Sequence, residues 1–331
     1  VIAFIFPGQG SQQVGMGKAL ANRFSVARRT FEDADAAFSS VDGHVFDRSS
    51  EEERGQARLL STLCFDGPED DLALTEVTQP AILTASVAAY RVLAEQGITP
   101  AFVAGHSLGE YSAHVAAGTF AFADAVALVR RRGRYMQEAV PIGTGGMAAI
   151  LGADLALVAQ ACEEAAQGEI VSPANINCPG QIAIAGDLAA VQRASERAKA
   201  LGARRAIALA VSAPFHCALM KPAEERLEPE LRVLRTTNPT MPVVANVDAE
   251  PKRDSTSSVD ALVRQVSATV RWEDVVRRLA SEGVTTYVEV GPGTVLSGLV
   301  KKIHPDAQVM TFGSPENLDA IVAACSISAE K

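Results

Sequence analysis

The stretch A-F-V-A-G-H-S-L-G-E-Y-S-A-H-V-A-A, Ala101 to Ala117, passes from a short apolar run through a sharp turn into a run of small residues. It reads as a strand over Ala101–Ala104, a tight turn, and a helix over Leu108–Ala117. Within it, Gly105-His106-Ser107-Leu108-Gly109 has the spacing G-x-S-x-G. A strand that turns abruptly into a helix crowds its own backbone. Such a turn therefore requires glycine two residues to either side of the serine, and it lifts the serine hydroxyl to the helix N-terminus. The spacing alone recurs by chance, and a purely structural turn is the alternative. Its place between a strand and a helix favours a nucleophile.

Outward from this turn the chain alternates strands and helices. Val1 to Phe6 is a short apolar run stopped by Pro7-Gly8, which reads as a buried strand and not as a signal peptide, having no basic flank. A glycine loop and a helix to about Phe24 follow. Ser39 to Asp71 is polar and reads as a long loop with one short helix. Gln79 to Gln96 reads as a helix with Pro80 in its first turn and Gly97 past its end, and Phe122 to Val140 as another. After Gly143, Gly145 and Gly146 the rhythm changes. Strand Met147–Leu151, helix Asp154–Gln167, strands Ile170–Ile176 and Gln181–Ala185, helix Asp187–Leu201 and strand Arg205–Val211 give the order βαββαβ, a ferredoxin-like pattern. Strands at Val243–Asn246, Thr286–Val290 and Gln308–Phe312 then resume the first rhythm. The fold class is therefore α/β. Residues 140–211 form a small inserted ferredoxin-like domain, and 1–139 with 212–331 form the larger domain.

Composition narrows the function classes. The 331 residues are 48% hydrophobic and 21% charged, which excludes a disordered or fibrous chain. Lys and Arg total 30 against 39 Asp and Glu, a net charge of −9, so a chain-wide nucleic-acid surface is not expected. The five cysteines, Cys64, Cys162, Cys178, Cys217 and Cys325, form no C-x-x-C pair. No metal site or disulfide framework is expected, and reduced thiols fit a cytoplasmic protein. No uncharged apolar run reaches membrane-spanning length.

The loop Gly8-Gln9-Gly10-Ser11 follows the first strand but fails as a phosphate loop. A dinucleotide fingerprint needs Gly at Gln13, and a Walker A loop needs Ser or Thr where Ala19 follows Lys18. The glycines at 143–146 precede a strand, not a helix, and read as a linker. A loop after an early strand can instead donate one N–H to an oxyanion while the residue after the nucleophile donates the other. Gln9 and Leu108 are the candidates, with a mere tight turn as the alternative for the first loop. Arg132 has Leu128, Val129, Tyr135 and Met136 at helical neighbour positions, so it faces inward. A buried guanidinium needs an anion: a bound carboxylate, or an internal Asp or Glu. Gly133 beside it suggests a close contact. Arg130, Arg131 and Arg134 read as a solvated face. A serine nucleophile needs a base among His44, His106, His114, His216 and His304. His106 is expected to point away from the serine, and sequence order alone does not decide between His216 and His304.

Taken together, these stretches resemble the malonyl-CoA:acyl carrier protein transacylase family over nearly the whole chain. The blocks that carry the resemblance are F-I-F-P-G-Q-G-S-Q-Q-V-G-M-G from Phe4, T-Q-P-A-I-L from Thr78, G-H-S-L-G-E-Y-S-A from Gly105 and R-R-G-R-Y-M-Q-E-A from Arg131. N-I-N-C-P-G-Q from Asn175, P-F-H-C-A-L-M from Pro214, N-V-D-A from Asn246, L-V-R-Q from Leu262 and E-V-G-P-G from Glu289 continue it. The resemblance implies an α/β-hydrolase-like domain interrupted by a ferredoxin-like one. It implies that Ser107 is acylated by malonyl-CoA and passes malonate to the phosphopantetheine thiol of acyl carrier protein, with no cofactor. His216 would then be the base, oriented by the backbone carbonyl of Gln265. Gln9 and Leu108 would supply the oxyanion N–H groups, Arg132 would bind the malonate carboxylate, and Met136 and Phe215 would wall the pocket. Asn175 and Gln79 fall in matching blocks without an assigned role. A monomer is expected, serving either fatty-acid or polyketide synthesis.

An acidic carrier needs a local basic patch on an acidic enzyme. The candidates are Arg193, Arg197, Lys199, Arg204, Arg205, Lys301 and Lys302. Two other functions compete: a serine esterase or thioesterase using His304 as base, and a non-catalytic carrier-binding module.

Overall fold

A computed structural model describes residues 1–41, 59–141 and 143–329. Strands β1 (Ile2–Phe6), β2 (Phe102–Gly105), β7 (Val243–Val244), β8 (Pro251–Lys252), β9 (Thr286–Val290) and β10 (Gln308–Phe312) form one sheet in the order β10-β9-β1-β2-β7-β8. All its pairings are parallel except β7 with β8. Every residue of β1 is buried, because helices cover both faces of a parallel sheet. Phe4 and Phe6 point into one core, and Ala3 and Ile5 into the other.

The registers Phe6↔Gly105 and Ile5↔Glu289 bring the C-terminal ends of β1, β2 and β9 level. The loops Pro7–Gln9 and His106–Ser107 therefore emerge side by side, at the C-terminal ends of the strands where α/β proteins place their sites.

The second sheet is antiparallel: β3 (Gly145–Leu151), β4 (Val171–Cys178), β5 (Gln181–Asp187) and β6 (Arg205–Ala208), in the order β4-β5-β3-β6. Helices Leu155–Ala166 and Leu188–Leu201 seal one face with their own core. The other face turns Met147, Ala183 and Ala185 toward the main core. The order βαββαβ is as expected, with β6 shorter than Arg205–Val211.

Several expectations are corrected. The helix expected from Gln79 begins four residues earlier and spans Thr75–Glu95, with Pro80 in its interior. A Cβ on Gly133 would sit 2.6 Å from the Thr75 carbonyl oxygen, so only glycine lets helix Phe122–Glu138 cross there. The strand expected over Val243–Asn246 stops at Val244, because the Asn246 N–H bonds Glu110 and not a ladder. Arg130 is not on a solvated face: it is buried, stacks over Phe38 at 4.1 Å and donates to the Phe38 and Val41 carbonyls. Arg131 is half-buried against Glu230. Of the polar stretch 39–71, helices Leu60–Asp66 and Glu69–Leu72 are described, and 42–58 lie outside the described residues, His44 among them. Among the described residues no helix is long and apolar enough to cross a membrane.

Candidate active site

Between the C-terminal ends of β1 and β2 and the open face of the four-stranded sheet lies a cavity of ≈ 470 Å³. Gln9, Ser107, Arg132, Met136, Phe215 and His216 line it. Chain segments more than a hundred residues apart thus meet in one cleft.

Ser107 sits at the turn from β2 into helix Leu108–Ala116 with φ 51° and ψ −106°, a conformation that L-residues seldom adopt. The flanking glycines are sterically required. A Cβ on Gly105 would collide with the Gly109 backbone, and one on Gly109 with the Phe6 carbonyl. Asn246 braces the turn: its Oδ1 accepts from the Ser107 N–H at 2.7 Å, and its Nδ2 donates to the Gly105 carbonyl at 2.7 Å.

Ser107 Oγ lies 2.6 Å from His216 Nε2, and His216 Nδ1 lies 3.0 Å from the Gln265 carbonyl oxygen. That carbonyl can only accept, so Nδ1 carries the proton and Nε2 is left to accept from the serine hydroxyl. Burial first, then the charge of Arg132, pushes the His216 pKa down to about 3, so the imidazole is neutral at physiological pH. His304 instead bonds the Tyr287 hydroxyl at 3.2 Å and does not line the cleft. His106 turns to Asn177, at 2.9 Å, and packs on Trp272.

Arg132 is 1% exposed. Its Nη1 donates to Gln79 Oε1 at 2.7 Å, and its Nη2 to Gln265 Oε1 at 3.0 Å and to Ser107 Oγ at 3.3 Å. It stacks over Tyr111 at 5.2 Å, and Nε has no partner among the described residues. Its partners are neutral oxygens, so the internal ion pair considered from sequence does not form among the described residues. A guanidinium held this way keeps its charge available to a bound anion.

Leu108 is the first helical residue, so its N–H has no carbonyl one turn back to bond. The Gly8–Gln9 loop lies against the elbow, since a Cβ on Gly8 would strike the His106 carbonyl. Gln9 Nε2 is tied to Thr75 Oγ1 at 3.3 Å. Gln79 Nε2 touches Met136 Sδ at 3.8 Å, and Asn175 is buried at the cleft wall. Among the described residues no cluster of three or more His, Cys, Asp or Glu is placed to hold a metal ion.

Sequence reasoning missed Glu110. It is fully buried, and its Oε2 accepts from the Asn246 N–H at 3.0 Å and from Gln265 Nε2 at 2.8 Å. Gln265 Nε2 also donates to the Ser107 carbonyl at 2.9 Å. Burial raises the Glu110 pKa to about 7 against the lowering pull of these donors and of Arg132. The only sequence signal was its place in the first turn after the serine.

The acyl transferase domain family matches residues 3–324 of the chain. A malonyl CoA-acyl carrier protein transacylase of Salmonella typhimurium is 49% identical over 319 residues, covering 96% of this chain and 97% of that one. The crystal structure of an acyl carrier protein S-malonyltransferase from Vibrio cholerae superposes with a TM-score of 0.90 at 45% identity, covering 97% of this chain and 99% of that one. A malonyl-transacylase solved in complex with its type II PKS acyl-carrier protein also gives 0.90, at 44% identity, covering 98% and 99%. With likeness in sequence and in structure running nearly end to end, the chain belongs to the acyl transferase domain family, among the malonyl CoA-acyl carrier protein transacylases.

Proposed function

We propose that the chain transfers a malonyl group from malonyl-CoA to the phosphopantetheine thiol of an acyl carrier protein, through a covalent malonyl-Ser107 intermediate. One observation carries this reading: a buried arginine without a paired carboxylate lies 3.3 Å from the oxygen of an imidazole-bonded serine. The site thus joins a nucleophile to a seat for a free carboxylate, which is what a malonyl thioester presents. The names and the carrier-bound state of similar proteins support it.

In the first half-reaction Ser107 Oγ attacks the thioester carbonyl as His216 Nε2 takes its proton. The Leu108 and Gln9 N–H groups receive the oxyanion. Collapse expels the CoA sulfur, which takes the proton from His216, and leaves the malonyl ester on Ser107. In the second, the pantetheine thiol gives its proton to His216 and its sulfur attacks the ester. Collapse breaks the bond to Ser107 Oγ, which takes the proton back from His216, leaving the malonyl thioester and the free serine. Gln265 orients His216 through its carbonyl, while Met136 and Phe215 wall the acyl group. No cofactor is required for these steps.

We assign the larger sheet, with 1–139 and 212–331, to an α/β-hydrolase-like domain, and 140–211 to an inserted ferredoxin-like one. The strand orders support both assignments. The five buried, unpaired cysteines support a cytoplasmic setting. Among the basic candidates, Arg193 and Arg197 pair with Glu169 and Glu164. Lys302, bonded at 3.3 Å to the cleft residue Gln181, is the better placed for the carrier.

Incubation with malonyl-CoA alone should add one malonyl mass to the protein, and Ser107→Ala should abolish it. An unmodified wild-type mass under all conditions would overturn the assignment.

A further inference from the structure

Glu110, Gln265 and Arg132 form a buried line of carboxylate, amide and guanidinium, with hydrogen bonds of 2.8 and 3.0 Å. The carboxylate accepts from Gln265 Nε2, which fixes the amide so that its oxygen faces the guanidinium. Glu110 is therefore joined to Arg132 through one amide, in an interior where charges act strongly on each other. Its two oxygens differ: Oε2 accepts both hydrogen bonds, while Oε1 has no partner among the described residues. A proton arriving on Oε1 would leave both bonds in place. The geometry thus permits the charge to change without dismantling the brace behind Ser107.

We propose that Glu110 is a positioning residue that balances the charge of Arg132 and takes up a proton when a carboxylate-bearing acyl group docks on that guanidinium. It thereby sets the preference for malonyl over neutral acyl groups as a function of pH. This rests on the malonyl reading above. A docked carboxylate adds a negative charge on the guanidinium that Glu110 faces across the Gln265 amide, and two carboxylates so coupled in a buried site do not both stay ionised at little cost. The malonyl carboxylate enters ionised, so Glu110 is the group that yields. With its own pKa at about 7, it is poised to do so.

The other charged or titratable groups around it do not compete. Asp248 is held by Lys252 and Arg264 at 2.8 and 3.0 Å. Burial pushes the Tyr111 hydroxyl up to about 12, and His216 stays neutral. Gln265 and Asn246 carry no charge.

The test mixes the enzyme with stoichiometric malonyl-CoA or acetyl-CoA in weak buffer at about pH 8, reading protons with an indicator dye and adducts by intact mass. Proton transfer from serine to CoA is common to both substrates, so the difference between them isolates Glu110. The wild type should take up about one more proton per malonyl adduct than per acetyl adduct. Its malonyl-to-acetyl rate ratio should fall by up to about tenfold per pH unit above neutrality. Glu110→Gln keeps an acceptor oxygen for Asn246 and Gln265 and should lose both effects. Equal proton counts in the wild type, a flat ratio, or an E110Q protein that retains the extra uptake would overturn the proposal. The wild-type comparison stands even if E110Q does not fold. A malonyl adduct with equal uptake sinks this proposal alone, whereas no malonyl adduct sinks the reading on which it rests.

Discussion

Ser107 and His216, 109 residues apart in sequence, meet at 2.6 Å, and each holds a positive φ, 51° and 60°. Neither is glycine, so each conformation costs about 1–3 kcal/mol that the surrounding packing offsets. The strained backbone belongs to the two residues between whose side chains a proton must move.

Replacing His216 with Ala should lower acylation by malonyl-CoA by about 10²–10⁴-fold, the usual contribution of a positioned base. In the wild type the base is neutral above a pKa of about 3, so its contribution to the rate is flat across neutral pH and is lost only as pH falls through that value. A pH–rate profile of stable wild-type protein with a limb near neutrality that does not move in E110Q would contradict this.

Arg132→Met keeps bulk while removing the charge. Loss of a hydrogen-bonded charge pair should reduce the preference for malonyl over acetyl by about 10–100-fold. Competition between the two thioesters, read by adduct mass, checks it; an unchanged ratio removes Arg132 as the selector.

Gln265→Ala separates the two functions of that residue. The backbone carbonyl that holds His216 Nδ1 remains, while the side chain that contacts Arg132, Glu110 and Ser107 is lost. Malonyl acylation should suffer more than acetyl acylation, and equal losses would show that the side chain serves the elbow alone.

Gly109→Ala drives a methyl into the Phe6 carbonyl at the level where β1 meets the elbow. Overpacking backbone in this way should destabilise by about 3 kcal/mol or prevent folding. Thermal denaturation within a degree or two of the wild type would refute the steric account.

Buried, neutral His114 and His216 link stability to pH. Burial lowers both pKa values from 6.5 to about 3, so below 6.5 the unfolded chain binds protons that the folded chain does not. Their contribution is complete above pH 6.5 and falls by about 1.4 kcal/mol per pH unit for each residue as pH drops toward 3. His114→Gln should flatten the dependence of urea midpoints on pH in that window; an unchanged slope would exclude His114 as a source.

The elbow, the two sheets and the inward-facing Arg132 were legible because each is written locally: apolar runs, glycine spacing and a helical stripe. The base was not written locally, and only the family resemblance pointed to His216, since His216 and His304 differ in which neighbour the folded chain supplies, Ser107 for one and Tyr287 for the other. Glu110 was hidden for a similar reason. An acid in the first turn of a helix ordinarily reads as a favourable partner for the helix dipole. Its partners Asn246 and Gln265 lie 136 and 155 residues away, and nothing local announces them. Arg130 misled because its neighbours in the helix do not show that the carbonyls of Phe38 and Val41 will close over it.

The pairing of β1 with β9, Ile2 opposite Thr286, has a consequence for a chain still being made. β1 lies inside its sheet, yet its neighbour β9 is made only after β2 and all four strands of the second sheet. Until then that edge is exposed to any extended segment that comes near. His216 and Gln265 likewise emerge long after Ser107. The nascent polypeptide therefore carries its nucleophile in an unactivated form, and reactivity arrives together with closure of the sheet.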